Sequence, residues 1–446
     1  MAQAEPRRGS GLLWTLAAAA VLLLVAYVTF GAALHIHPLD GDNLIAMSIA
    51  DRASPRFLTD DFVTYVPGYR PLAYLTLWAQ YQELGHGTVQ LFAFNLLAAV
   101  AAALGAYAIV AIATGARLLA LLPAAAVLLD DRTVFSQIWL GERQSTLACA
   151  LGAAAFALAL PALHGPLSRP RLAAIAVLIL AASACKEYGI AFAAGVVVLA
   201  LLGTRERRKA LAAAAILPVV VYLVARAALA GISLAGYCET MGLPGKGTRN
   251  ICYDDLGFAD RLTQQGWNVV ASFAGKFAAP LFDGAGAPLS GVPLSELLIP
   301  LAILALAAAG VWWRPRIGLA LLAVIAANAV LNLALYRERN QLAGTLALYS
   351  AAGIGFVALA RALASHTAGR VLTGAATCAI VAWLVVQATH RSDFIHETRA
   401  TFASLDPCDA LRTYPRDVDA GVTRMLKVRY RLPDADCAAK PRAPSG

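Results

Sequence analysis

The residues best equipped for chemistry follow the first apolar run. After Gly11 to Ala33 come His35 and His37, then Asp40, Asp42, Asp51, Asp60 and Asp61, then Tyr69-Arg70-Pro71-Leu72. Asp40 and Asp42 start within a few residues of the run, so at least one carboxylate sits at a membrane surface. Partial desolvation there raises a carboxylate's basicity and suits it to accept a proton. Asp42-Asn43 also has the composition of a helix cap or turn, a role that is compatible with catalysis.

Cations recur on the side of the chain that the acids occupy. They are Arg70, Arg143 after Glu142, Lys186 before Glu187, and Arg337 and Arg339 flanking Glu338. Outward-facing loops are normally poor in Lys and Arg, so each of these needs another reason to be there. Arginine forks and a lysine at headgroup depth suit a lipid phosphate. Pairing within the bundle is the competing explanation, because Glu187 and Glu338 supply counter-charges next in sequence.

Other motifs fail on their chemistry. Gly242 to Thr248 reads GLPGKGT, without the Gly-Lys-Ser/Thr ending that cradles a nucleotide phosphate. His35, His37 and Asp40 offer ligand atoms, but no HExxH or Cys-rich zinc spacing accompanies them. A divalent ion on Asp40 and Asp42 is possible chemistry but not required, and the expectation is no cofactor and no metal.

Long apolar helices must position these groups. The 446 residues are 59% hydrophobic and 14% charged, against about a quarter charged in soluble domains, which excludes a soluble core as the destination of the apolar mass. Mean hydropathy is +0.66. The net charge of +9 comes from 36 basic and 27 acidic side chains, and many of the cations lie in short gaps between apolar runs: Arg169, Arg171, Arg205, Arg207, Arg208, Lys209, Arg314, Arg316, Arg361 and Arg370. That placement marks cytoplasmic loops rather than a nucleic-acid surface.

The apolar runs predict an all-α polytopic membrane protein with about eleven transmembrane helices. They lie near 11–34, 89–113, 117–129, 144–163, 171–185, 188–203, 210–230, 294–313, 317–335, 342–360 and 370–388. Segment 117–129 is short enough to be partly re-entrant. The first run exceeds the usual length of a signal-peptide core and is read as an uncleaved helix with its N-terminus inside. Residues 1–388 then form the transmembrane domain, with outer loops 35–88 and 231–293, and 389–446 form a small extracytoplasmic tail. Cys238 with Cys252, and Cys408 with Cys437, fall outside on this count and are disulfide candidates in an oxidising compartment. High Ala and Arg content is that of a GC-rich bacterial genome, which points to an inner membrane with a periplasmic site.

With these residues the chain resembles the glycosyltransferase C superfamily, particularly the transmembrane O-mannosyltransferases that carry TPR repeats. The resemblance rests on Asp40 and Asp42, Asp61-Phe62, Tyr69-Arg70-Pro71-Leu72, Asn95, Trp139 to Arg143, Lys186-Glu187, Glu338-Arg339 and Tyr349-Ser350. The chain departs from it where Gly41 splits the acidic pair, where Glu142 interrupts a Gly-Arg motif, and in lacking TPR repeats. The resemblance implies a base, Asp42 first and Asp40 second. It further implies that Arg70, Arg143, Lys186, Arg337 and Arg339 hold the phosphate of a polyprenyl-phosphate sugar, supported by Asp61, Tyr69, Glu142, Glu187 and Glu338. The acceptor would be a glycan, lipid or protein hydroxyl. A transporter or flippase of lipid-linked glycans is the alternative from another class, and an O-antigen ligase or polymerase a third. Depth separates the first two: a translocation path needs Lys186, Glu187 and Arg339 near the midplane, whereas transfer chemistry needs them at the outer surface.

Overall fold

The Ala- and Leu-rich runs close their backbone hydrogen bonds within each segment, as hydrocarbon requires, and the outcome is a helical bundle. The computed structural model describes residues 8–36, 70–84, 88–205, 208–230, 294–332 and 341–404, with isolated positions between them such as Asn43, Ala46, 251–252 and 335–336. In chain order the helices are α1 (Arg8–Phe30), α2 (Pro71–Leu84), α3 (Thr88–Thr114), α4 (Leu121–Leu129), α5 (Asp131–Ile138), α6 (Arg143–Ala159) and α7 (Arg169–Cys185). They continue as α8 (Tyr188–Leu202), α9 (Arg208–Ala230), α10 (Leu294–Trp313), α11 (Pro315–Leu331), α12 (Leu342–Leu363) and α13 (Thr367–Ala403). Two-residue strands, β1 (Ile251–Cys252) and β2 (Leu335–Tyr336), pair antiparallel with Ile251 opposite Tyr336.

A helix stands at every expected position, but helix and membrane crossing are not the same thing. Six segments are long and apolar enough to cross: Gly11–His35, Val89–Thr114, Leu140–Leu163, Arg208–Leu229, Leu342–Leu363 and Thr367–Ala403. Three shorter apolar helices, Tyr188–Leu202, Leu298–Trp313 and Pro315–Leu331, accompany them. The architecture is that of a multi-pass helical membrane protein, with six candidate spans among the described residues rather than a demonstrated eleven.

Segment 117–129 is a half-helix. The nine residues of α4 rise only about 14 Å, too little for a hydrocarbon layer of roughly 30 Å. The chain turns extended at Asp130 and restarts as α5, whose first turn Asp130 caps by accepting the Arg132 N–H at 3.0 Å.

Two stretches of helix fall outside the expected apolar runs. The expected outer loop 35–88 contains α2, which begins on Pro71 and buries Tyr74, Leu77 and Tyr81 at helical spacing. The helix α13 runs past 389 to Ala403, through His390, Arg391, Asp393 and His396. An apolar run marks where lipid ends, and backbone hydrogen bonding can carry a helix beyond that point. Arg391 lies about 36 Å along α13, past the thickness of a hydrocarbon layer.

Small residues set the closest crossing. A Cβ at Gly310 of α10 would strike the Ala351 carbonyl of α12, and one at Gly355 of α12 would strike the Leu306 carbonyl of α10. Such small-residue contacts replace the hydrophobic drive that lipid removes. The two ends of the bundle differ in charge. Arg117, Arg169, Arg171, Arg205, Arg208, Lys209, Arg314, Arg316, Arg361 and Arg370 lie at one end, and the acids of the helices and turns named above lie toward the other. The positive-inside rule expects such an all-basic end at the cytoplasmic face.

Candidate functional site

The end of the bundle opposite the basic one holds a connected polar network built on three turns. Residues 139–142 link α5 to α6, Lys186-Glu187 links α7 to α8, and Arg70 precedes α2. The α7–α8 turn is tight because only Lys186 is extended, at φ −164° and ψ 158°. Gly189 then packs so closely that a Cβ there would meet the Ser183 backbone. The turn therefore points two successive charges in different directions.

Lys186, 2% exposed, donates to Ser145 Oγ at 2.7 Å and pairs with Glu142 Oε2 at 3.4 Å. Ser145 Oγ in turn donates to Glu142 Oε2 at 2.7 Å. Glu187 accepts from Arg70 at 3.4 Å and from Arg226 of α9 at 2.8 Å. Burial alone would raise the Glu187 carboxyl; Arg70 and then Arg226 outweigh it and hold it down at about 2. Lys186 and Glu187 therefore do not pair with each other; each recruits a partner from another helix.

Arg143 is 1% exposed and has neutral acceptors on all three nitrogens. Its Nε donates to Asn95 Oδ1 at 3.0 Å, Nη1 to Gln80 Oε1 at 2.8 Å and Nη2 to the Leu91 carbonyl at 3.0 Å. The Phe94 ring lies 4.9 Å from the guanidinium carbon. Asn95 is itself fixed by donating to the Ser136 carbonyl at 2.6 Å. Among the described residues the network carries four cations, Arg143, Lys186, Arg70 and Arg226, and two carboxylates, Glu142 and Glu187, an excess of positive charge.

Asn43 ties the start of the first outer segment to this network. Its Nδ2 donates to the Ile138 carbonyl at 2.8 Å, and the Leu140 N–H donates to its Oδ1 at 2.6 Å. The fully buried amide thus clamps the chain immediately after Asp42 onto the turn that leads to Glu142 and Arg143. Sequence spacing marked Asn43 as a capping residue; among its described contacts are these two long-range bonds.

Asp40, Asp42, Asp61, Tyr69, Arg337, Glu338 and Arg339 lie outside the described residues, as do Cys238, Cys408 and Cys437. Cys252 belongs to β1. Arg70, Arg143, Lys186, Glu142 and Glu187 meet at one end as expected, but with protein partners in hand. Arg226 was missed because it sits inside an apolar run. The clue available in sequence was a lone cation near the outer end of an outward-running helix.

A second acidic centre also escaped the sequence reading. Asp130 binds Arg132 Nη1 through both carboxylate oxygens at 2.9 Å, and the Tyr349 hydroxyl donates to its Oδ2 at 3.3 Å. The neighbouring Asp131 pairs with Arg391 of α13, whose Nε also donates to the Leu129 carbonyl at 3.2 Å. Burial pushes the Asp131 carboxyl up to about 6, against the opposing pull of Arg391. The raised basicity sought in the first loop thus occurs, among the described acids, at the α4–α5 break.

No protein-family model matches the chain, and no curated protein does. Solved structures of one protein share its outline weakly. The apo oligosaccharyltransferase of Archaeoglobus fulgidus is 14% identical at a TM-score of 0.49, over 96% of this chain and 61% of that one. The same enzyme, AglB, with an inhibitory peptide and a dolichol-phosphate is 14% identical at 0.48 over the same shares. Its form tethered to an acceptor peptide is 13% identical at 0.45, over 89% and 57%. The chain spans about three-fifths of that enzyme's length.

Proposed function

We propose that the chain is an integral membrane glycosyltransferase that moves a sugar from a polyprenyl-phosphate carrier to an acceptor hydroxyl at the outer face. The clamp of Asn43 on the 138–140 turn carries this reading. It ties the segment following Asp42 to a network with an excess of positive charge, and a base beside phosphate-stabilising cations is the pairing that transfer from a lipid phosphate needs.

In this mechanism Asp42, or Asp40, takes the proton of the acceptor hydroxyl as its oxygen attacks the anomeric carbon. The bond from that carbon to the phosphate oxygen breaks, and its electron pair leaves with the polyprenyl phosphate. Single displacement inverts the anomeric centre. The Arg70–Glu187–Arg226 triad is the better phosphate candidate, because two guanidiniums share one carboxylate and Arg226 keeps part of its surface exposed. Lys186 and Arg143, buried and bonded throughout, serve as struts that fix the turns. Arg337 and Arg339 are further candidates for the phosphate. The donor is expected from the outer leaflet of a bacterial inner membrane, since nucleotide sugars are confined to the cytoplasm.

The transporter reading fares less well. Lys186 and Glu187 stand at a turn at the outer end of α7 rather than mid-helix, and a translocation path needs its charges at the midplane.

The test is purified full-length protein given radiolabelled polyprenyl-phosphate sugars and an acceptor extract. Wild type is expected to form a new glycosidic bond, and the double variant Asp42→Asn, Asp40→Asn to lose at least about 100-fold, the low end for a general base. Wild-type transfer by that variant removes the proposed base. Movement of label across a vesicle with no new bond replaces the enzyme by a transporter.

A further inference from the structure

A cavity of about 1120 Å³ lies at the opposite end of the bundle from this site. It opens between the start of α1, the end of α3, the 160–164 turn and the α10–α11 corner. Its volume exceeds the roughly 300–1,000 Å³ of an ordinary small-molecule pocket. Its lining mixes two chemistries. Ala108, Ala111, Ile112, Leu163 and Ile317 are apolar, Arg117, Arg314, Arg316 and His164 are basic, and no described acid lines it.

Two further features favour an anion there. The first turn of α11 lines the cavity through Arg316 and Ile317, whose N–H groups are among those a helix leaves without intrahelical partners, at the positive end of its dipole. Trp313, also in the lining, has two guanidiniums near it, with Arg314 4.7 Å and Arg361 5.4 Å from its ring. An indole beside arginines at the end of an apolar helix suits headgroup depth. Topology alone accounts for cations at this end, but not for a cavity that several of them line together with apolar side chains.

We infer that this cavity binds an anionic phospholipid of the cytoplasmic leaflet. Its phosphate lies against Arg314, Arg316 and the α11 N-terminus, and its acyl chains run along Ala108, Ala111 and Ile112. The site is independent of the outer-face chemistry, so neither proposal depends on the other.

Native mass spectrometry of the full chain in non-ionic detergent tests it, with phosphatidylglycerol, phosphatidylcholine and inorganic phosphate as separate arms. Phosphatidylglycerol is expected to give a saturable one-to-one adduct that phosphatidylcholine does not match and inorganic phosphate does not displace. Arg314→Gln with Arg316→Gln should weaken it about 10- to 30-fold, from roughly 1 kcal/mol per cation near an anionic headgroup. Ala111→Phe keeps every charge but obstructs the apolar part of the cavity, and should weaken it too. Arg169→Gln with Arg171→Gln, at the same end but outside the lining, should not. Equal loss in the Arg169, Arg171 variant, unchanged binding by Ala111→Phe, equal retention of phosphatidylcholine, or displacement by inorganic phosphate each overturns the site. Should the Arg314, Arg316 variant fail to fold, Ala111→Phe decides alone.

Discussion

At the scale of residues, the outer network shows how charge is managed where lipid gives way to water. Glu187 separates two guanidiniums that would otherwise repel, so Glu187→Gln leaves Arg70 and Arg226 facing each other without a carboxylate. The triad is partly exposed, which puts the expected loss at about 2 kcal/mol, between a surface pair and a fully buried one. A lower thermal midpoint in detergent, recovered by also replacing Arg226, is the measurement. Asp131 behaves oppositely. Its carboxyl, raised from 3.8 to about 6, holds a proton more tightly folded than unfolded, so stability falls as pH rises from about 4 to about 6 and levels off above. Asp131→Asn is expected to flatten the midpoint-against-pH curve over that window. Glu187, depressed to about 2, contributes stability that is lost only as pH falls from about 4.5 toward 2, so the two windows separate.

At the scale of elements, two devices hold the scaffold. The reciprocal glycine contact between α10 and α12 lets backbone touch backbone. A side chain at either glycine must push the helices apart, and Gly355→Leu is expected to cost about 3 kcal/mol, the upper part of the overpacking range. Thermal unfolding in a constant detergent would show it, with the exposed, uncrowded Gly374→Leu as the control. The break at Asp130 is the second device. It separates α4 from α5; the Asp130 carboxylate holds Arg132 and Tyr349, and the freed Leu129 carbonyl accepts from Arg391. Arg391 thereby ties the extended end of α13 to the break, which explains why α13 stays helical beyond its apolar run.

At the scale of the whole molecule, the charge difference between the ends sets a direction. The end bearing Arg117, Arg169, Arg314 and Arg370 should face the cytoplasm, and the network around Lys186 the opposite side. With single cysteines at Arg169 and at Glu397, in a background with the native cysteines replaced, a membrane-impermeant maleimide should label only the Glu397 position in intact cells and the Arg169 position only after permeabilisation. Labelling of both from outside would refute the orientation and with it the outer-face chemistry.

The sequence by itself determined the class and most of the elements, because apolar length and the position of lone cations are one-dimensional signals that lipid imposes directly. It marked Arg70, Arg143, Lys186, Glu142 and Glu187 for the same reason: each is a charge in a place where charge is expensive. It left out α2 and missed the ends of α4 and α13, where helix formation parts company with hydrophobicity. Only the tertiary structure decided who holds whom. Lys186 pairs with Glu142 rather than its neighbour, Arg226 emerges from an apolar helix to share Glu187, and Asn43 clamps a turn 95 residues away. Those choices depend on which helix faces pack together, and no spacing along one chain encodes that.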